Sequence, residues 1–357
     1  MHRKRTRLIQ IPALILSLSL FLTGCVQKTP EPAPEPAPDG ASAAEEQFQE
    51  MIDDLFYDSV TSSGLTMHSM LTDPEAYGIT EYPDTLGDYS LQGIRDDYAE
   101  LNEDYETLRS IDREALSPAL QIDYDILKTY METESVGEKF LLYDHPFSAI
   151  SGVQVELPIV LAEYRFRTPE DVEHYLALLS CVGEYYGQLL EYVRAQEDAG
   201  IYLSDQTIDG VVDSCQTYLD APEDGMMAET FLSRLDSLPE LTEEQREDFI
   251  SRNKELLAHD FKDAYVSLTD GLQELRGKLE APVGVSALPD GRAYYEYLLK
   301  SSTFTSYRDP ESLRDAIAER MQAELELAHE RMTENPELIR SIYSFDFAIQ
   351  KGFRRVL

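Results

Sequence analysis

The 357-residue chain is poor in positive charge and in cysteine. It has 30 Lys and Arg against 68 Asp and Glu, which gives a formal net charge of −38 at pH 7. Such a polyanion repels phosphate backbones, so binding to DNA or RNA is not expected. Three Cys also exclude a disulfide-stapled scaffold and a Cys-rich zinc module.

The chain also lacks the short motifs of common nucleotide-binding and hydrolase sites. No Ser lies in a G-x-S-x-G elbow, no P-loop occurs, and no G-x-G-x-x-G follows a predicted strand. No acidic run fits the calcium loop of an EF-hand. With 43% hydrophobic and 27% charged residues, the chain is nevertheless neither disordered nor a polytopic membrane protein.

The N-terminus has the pattern of a secretory signal. Four basic side chains within residues 2–7 precede an apolar stretch at 8–22, which is too short for a comfortable transmembrane helix. The sequence Leu22-Thr23-Gly24-Cys25 resembles a bacterial lipobox. We therefore predict a signal peptide at 1–24 and a lipidated Cys25. The alternative is an ordinary signal peptide with an incidental Cys.

Residues 25–45 are predicted to form a tether between the lipid and a folded domain. Pro alternates with Glu and Ala through residues 29–38, a composition that favours extended polyproline II. A Pro-rich ligand for a binding module is the alternative, but a spacer is expected directly after a lipidation site. The protein is then exported and held on the outer face of the cell membrane by its acyl chains.

Residues 46–357 are predicted to form a mainly α, multi-helix domain with long antiparallel helices. Three helix starts place an N-cap oxygen before Pro, at Ser117-Pro118, Thr168-Pro169 and Asp309-Pro310. Thr242 and Gln245 form a fourth start with the pattern of a capping box.

Apolar residues recur at three- and four-residue steps after three of these starts. The steps predict one long helix from residue 168 to about 200, a second from 242 to the stop at Pro282, and a third over 310–334. The stretch 140–167 breaks this rhythm, with Val153, Val155 and Leu157 alternating. It is predicted to be irregular or to form a short β hairpin.

Candidate metal ligands are few. Of six His, only His329 is followed by Glu, and the position where a H-E-x-x-H zinc helix needs its second His is Thr333. One imidazole cannot hold a catalytic zinc ion, so we predict no catalytic, cofactor-binding or metal-binding residue in this chain.

Cys181 and Cys215 remain after lipidation. They are predicted to lie on consecutive helices joined near Gly200. In an antiparallel hairpin, the distances of the two Cys from that turn, measured along their helices, differ by about 12 Å. A disulfide needs Cα atoms within roughly 7 Å of each other. Buried free thiols are therefore favoured over a disulfide.

Two stretches resemble a known family. Residues 152–179, GVQVELPIVLAEYRFRTPEDVEHYLALL, and the run from Ala287-Leu288-Pro289-Asp290-Gly291 to Thr303-Phe304-Thr305 are similar to signature segments of the domain-of-unknown-function 885 (DUF885) family. The likeness covers roughly residues 48–345 and is greatest to bacterial lipoprotein members.

The resemblance implies the helical N-terminal half of a zincin-like metallopeptidase. The family's zinc segment is a His-Glu-Ala-x-Pro-Gly-His-His type run, followed by a Trp-containing helix, and both belong to its C-terminal half. Neither occurs here, and the chain has no Trp. Zinc is therefore implied for the full-length family, but no family ligand can be assigned to a position in this chain.

Two hypotheses follow. In the first, the chain is a truncated, metallopeptidase-like lipoprotein that is inactive alone, whose partner is the missing C-terminal half. Apolar helix faces, near 310–334 and 140–167, would then be exposed. In the second, it is a non-enzymatic surface lipoprotein that binds a peptide or a cell-wall component.

Overall fold

The computed structural model describes residues 42–220, 222–238, 241–307, 309–337 and 340. The chain divides into two compact units, residues 1–297 and 298–357. The described residues contain helices and turns but no strand. None of the described helices is long and apolar enough to cross a membrane.

The first unit contains most of the helices. They are α1 (Ala43–Thr61), α2 (Gly64–Met70), α3 (Leu91–Ser110), α4 (Pro118–Glu134), α5 (Val153–Glu163), α6 (Pro169–Ser180), α7 (Val182–Asp198), α8 (Asp205–Leu219), α9 (Met226–Leu235), α10 (Glu243–Leu256), α11 (Lys262–Glu274) and the start of α12 (Gly291–Thr303). Short 3₁₀ segments lie at Pro74–Tyr77, Arg113–Ala115, Ser135–Phe140, Pro222–Asp224 and Val285–Ala287.

The predicted helix starts are confirmed. Pro118, Pro169 and Pro310 each begin a helix. Thr168 and Thr242 form complete capping boxes and Asp309 accepts from the Ser312 N–H, but the side chain of Ser117 makes no cap hydrogen bond. The caps at Thr168, Thr242 and Asp309 satisfy backbone N–H groups that have no partner within the helix.

The prediction of one helix from 168 to about 200 is wrong, because the chain turns at Cys181. This residue ends α6 and begins α7, with ψ near −5°. Buried residues of both helices face the same core, including Tyr175, Leu179 and Tyr186. The apolar spacing continues across the turn, so it cannot reveal a change in helix direction.

The short β stretch predicted within 140–167 is also wrong, although residues 141–152 are irregular. Residues 153–163 form α5, with Pro158 inside it. Pro158 has no N–H to donate to the carbonyl of Gln154. The Tyr265 hydroxyl donates to that carbonyl instead, at 2.5 Å. A contact from a distant helix thus replaces the missing hydrogen bond.

The helical run after Thr242 ends earlier than the Pro282 stop predicted from sequence. α10 continues through a π-helical turn at Leu257–Phe261 into α11, which ends at Glu274. Gly277 then has φ +87°, and its N–H donates to the Asp205 carboxylate at 2.8 Å. Asp205 begins α8, so a tertiary hydrogen bond fixes the exit of the chain.

Two hydrophobic clusters organise the first unit. The main one is built around the pairing of α7 with α11, where the Tyr186 hydroxyl donates to the Tyr265 hydroxyl at 3.0 Å. The second is small and separate, and consists of Val60, Met67, Leu71 and Ile79, with Tyr57 and Tyr82 packed against it. Residues 57–82 therefore have little apolar burial of their own.

In the second unit the main element is α13 (Pro310–Glu334). The predicted helix forms, but none of its residues is buried, including those of its apolar face. Ile317 is 50% exposed, Met321 59% and Leu325 63%.

Candidate functional site

The residues singled out in the sequence do not converge on a metal site. Cys25 lies outside the described residues. His329 and Thr333 lie on the exposed α13, where the Thr333 hydroxyl donates to the His329 carbonyl at 2.8 Å. No group of three or more His, Cys, Asp or Glu in the described part of the chain is placed to hold a metal ion. These residues do not fit a catalytic zinc ion.

Both described cysteines are free thiols, as predicted, but only Cys215 is also buried. Cys215 is fully buried, and burial raises the pKa of its thiol to about 12. Cys181 is partly exposed, and burial again raises its pKa. Neither thiol has the lowered pKa of a reactive cysteine.

An open groove lies beside the π-helical turn. Its volume is about 460 Å³, and its polar lining comes from the end of α6, the turn and the start of α11, with Ser180, His259, Asp260, Asp263 and Ser267. Two carboxylates, an imidazole and two hydroxyls suit a ligand that carries a positive charge or several hydrogen-bond donors. The groove is a candidate binding site.

The π-helical turn arises from the spacing of the buried row. Phe249, Asn253, Leu257, Phe261 and Tyr265 are buried at successive four-residue steps. Four residues overrun the α-helical period of 3.6, so an α-helix would rotate this row by about 40° per step. The wider π turn keeps the row on the core and places His259 and Asp260 at the groove. π turns are frequent at functional sites.

A second polar group, the ring cluster, consists of His68, Tyr82, Tyr164 and His174. His68 stacks on Tyr164 with ring centroids 3.7 Å apart, and Tyr82 stacks on His174 at 3.8 Å. The hydroxyl oxygens of Tyr82 and Tyr164 lie 2.9 Å apart, within hydrogen-bond distance. The four rings therefore form one continuous contact between distant parts of the chain.

Charged groups surround the ring cluster. The His174 Nδ1 lies 2.7 Å from the Asp84 carboxylate. The His68 Nδ1 lies 3.4 Å from the Arg167 guanidinium and 3.5 Å from the Asp171 carboxylate. Burial raises the pKa of Tyr82 to about 12. The tyrosines are therefore neutral at physiological pH and act as hydrogen-bonding groups.

A third polar contact joins α12 to α4. Glu134 is 4% exposed and accepts a hydrogen bond from the Tyr297 hydroxyl at 2.9 Å. Burial raises the pKa of Glu134. Gly137 lies beside this pair, and a Cβ there would come 2.5 Å from the Tyr297 hydroxyl and 2.7 Å from that of Tyr98. Only a glycine leaves room for this contact.

Comparison with family models finds one that spans most of the chain. Residues 73–346 match the model described as a bacterial protein of unknown function (DUF885). The chain belongs to the DUF885 family. The resemblance read from residues 152–179 and 287–305 is therefore confirmed, and both stretches lie within the matched range.

A solved structure shows the same fold. It is described as "the crystal structure of the putative lipoprotein from Colwellia psychrerythraea", and its TM-score is 0.68 at 15% sequence identity. The match covers 83% of this DUF885 chain and 52% of the other, so the chain spans about half the length of that protein. A search of the curated proteins found no match.

The groove and the ring cluster were both missed by the sequence analysis. The groove had a weak signal, because the four-residue steps from Leu257 to Phe261 and Tyr265 exceed the α-helical period of 3.6. The ring cluster had none, since 14, 82 and 10 residues separate its successive members.

Proposed function

We propose that this chain is the non-catalytic helical part of an exported, lipid-anchored protein of metallopeptidase-like ancestry. The lipid is attached at Cys25, and the groups that bind zinc and cleave peptide come from polypeptide outside these 357 residues. The membrane is one partner, reached through the acyl chains, and this second polypeptide is the other.

The observation that carries the proposal is the apolar face of α13. Leu313, Ile317, Met321, Leu325 and Met332 recur at steps of three or four residues and their multiples, yet none is buried. Such a face lowers its free energy by packing against another apolar surface, at about 25 cal/mol per Å². The Colwellia structure supports the same view, because about half of its chain has no counterpart in the match.

The partner's chemistry follows from the flanks of this face. α13 carries seven Asp and Glu against three Arg, for a helix charge of 3 − 7 = −4. A second copy of α13 would bring like charges together. An apolar surface bordered by Lys or Arg is favoured instead.

The first test is the metal content and peptidase activity of the purified chain. We expect neither stoichiometric zinc nor cleavage from the chain alone. Zinc bound at one equivalent together with peptide cleavage would contradict the proposal.

The second test concerns the DNA immediately downstream of codon 357. A His-Glu…His-His segment encoded there, in any frame, supplies the proposed partner. The two polypeptides are then mixed, and we expect the mixture to bind zinc and to gain activity. Replacing Met321→Glu and Leu325→Glu should abolish that gain, while His329→Gln, on the same helix, should not.

A second candidate function is the binding of a peptide or wall component without catalysis. The groove beside the π-helical turn favours it, because Asp260 and Asp263 can pair with an amino group. Calorimetric titration with short peptides tests it. Binding that is lost in Asp260→Asn and Asp263→Asn supports this function, and unrelated DNA after codon 357 supports it further.

A further inference from the structure

Residues 60–82 contact the rest of the first unit through the ring cluster, through Leu65, which packs against the main core, and through the Gly64 N–H, which donates to the Thr85 carbonyl at 2.9 Å. Their own apolar cluster has four buried members, and it is separate from the main core. The helix within them, α2, has seven residues, and so short a helix is unstable in water without tertiary contacts. The stability of this segment therefore depends on what holds it to its neighbours.

The ring cluster supplies the aromatic part of that connection. His68 and Tyr82 belong to the segment, whereas Tyr164 belongs to the main hydrophobic cluster and His174 lies on α6. Two stacked ring pairs and one hydroxyl–hydroxyl contact of 2.9 Å join the two sides. The Arg167 guanidinium also donates to the His68 carbonyl at 3.4 Å.

The position of His68 suits a neutral imidazole. The residue is 6% exposed, and its ring lies flat against Tyr164, with 13° between the planes. A neutral Nδ1 can accept a hydrogen bond from Arg167, at 3.4 Å. A protonated Nδ1 would instead direct its own N–H at that guanidinium, and two positive charges would meet in a buried site.

The surrounding charges do not remove this cost. Asp171, at 3.5 Å, attracts a protonated His68, whereas Arg167 and the nearby His174 repel it. Asp84 is paired with His174, and Tyr82 and Tyr164 are neutral. Burial is the largest effect and Arg167 the next, and together they lower the pKa of His68 from its ordinary 6.5 to about 4.

We propose that the ring cluster is an acid-sensitive connection, in which protonation of His68 releases residues 60–82 from an otherwise folded main body. An exported protein meets the pH of its surroundings directly. The release would uncover the stacked faces of Tyr164 and His174 on the main body. Nothing in this proposal depends on the zinc chemistry of the family.

The direction and size of the effect follow from linkage. The released segment binds a proton on His68 near the ordinary pKa, and the attached segment only near the lowered one. Attachment is therefore fully stable above about pH 6.5 and weakens as the pH falls towards 4. Between pH 7.5 and pH 5 the equilibrium constant for release should rise about 30-fold.

Hydrogen exchange of backbone amides tests the proposal on the purified chain. The reporters are the amides of 67–71, which bond within α2 and at its end. In the wild type we expect their protection, corrected for intrinsic exchange, to fall about 30-fold from pH 7.5 to pH 5. The amides of α7 should keep theirs. In His68→Phe, which can stack but cannot titrate, the reporters should show no pH dependence.

His329→Gln, on the exposed α13, is the matched control and should behave as the wild type. A pH-independent wild type, or the same loss of protection in His68→Phe, would overturn the proposal. If His68→Phe does not fold, His68→Gln replaces it. An NMR titration of the wild-type His68 ring gives an independent readout, and a midpoint at or above 6.5 would also overturn the proposal.

Discussion

The helices α11 and α13 have similar apolar patterns and opposite environments. α11 buries Tyr265, Leu268 and Leu272 completely against the main core. α13 has an equally regular apolar row and buries no residue. The difference shows that an amphipathic pattern specifies a face that needs a neighbour, but not which neighbour covers it. Substitutions in the buried core and on α13 test this difference.

The largest expected effect is from Phe261→Ala, at the junction between the π-helical turn and α11. Phe261 is completely buried, and removing its ring leaves a cavity in a closely packed core. The free energy of unfolding should fall by about 3–5 kcal/mol, measured by urea denaturation. A loss of unfolding free energy below 1 kcal/mol would mean that the residues around Phe261 are no better packed than those of α13.

Gly137→Ala should have the next largest effect. The new Cβ would lie within 2.7 Å of two tyrosine hydroxyl oxygens, so the Glu134–Tyr297 hydrogen bond has to move. We expect a loss of about 1–3 kcal/mol in unfolding free energy. Gly187→Ala is the control, because apart from its chain neighbours and the backbone of its own helix no atom lies within 4 Å of its new Cβ. That helical position should gain about 0.5–1 kcal/mol, and equal losses at both glycines would contradict the packing argument.

Glu134→Gln should change the pH dependence of stability more than stability itself. The pKa of Glu134 is raised in the folded chain, so the folded form binds a proton more tightly than the unfolded form. Wild-type stability therefore falls as the pH rises from the ordinary 4.5 through the raised value. Gln keeps an acceptor for Tyr297 but does not titrate.

The stability difference between Glu134→Gln and the wild type should thus grow in favour of the variant as the pH rises through that window. It amounts to about 1.4 kcal/mol for each pKa unit of the shift. Denaturation curves at pH 4 and pH 7 measure it. Parallel pH profiles for the two proteins would show that ionisation of Glu134 does not lower the free energy of unfolding, and would contradict this prediction.

The smallest effect is expected on α13. Leu325 is 63% exposed, and Ala is a good helix former, so Leu325→Ala should change the unfolding free energy by no more than about 0.5 kcal/mol. The same substitution should weaken binding of the proposed second polypeptide. A large loss of stability in the chain alone would show that this face is already covered in solution.

Local chemistry was readable from the sequence. The starts at Pro118, Pro169 and Pro310, and the capping box at Thr242, are confirmed because each depends on residues within three positions of the others. The turn at Cys181 was not readable, since apolar residues recur at the same steps on both sides. The helix through Pro158 was not readable either, because its missing donor is replaced by Tyr265, 107 residues away.

The two candidate sites also differ in how much of them the sequence reveals. The row from Phe249 to Tyr265 drifts by about 40° at each four-residue step, which favours a change in helix winding but does not locate the groove. The ring cluster could not be anticipated at all, because its contacts join residues as far apart as His68 and His174.

The polyanionic charge follows from composition, the mainly helical class from caps and apolar spacing a few residues apart, and the family from two stretches of similar sequence. Packing between distant segments decides where helices turn, which apolar faces are buried and which imidazole lies between an aromatic ring and a guanidinium. Those outcomes depend on groups that are distant in sequence, and the spacing of residues along the chain carries no record of them.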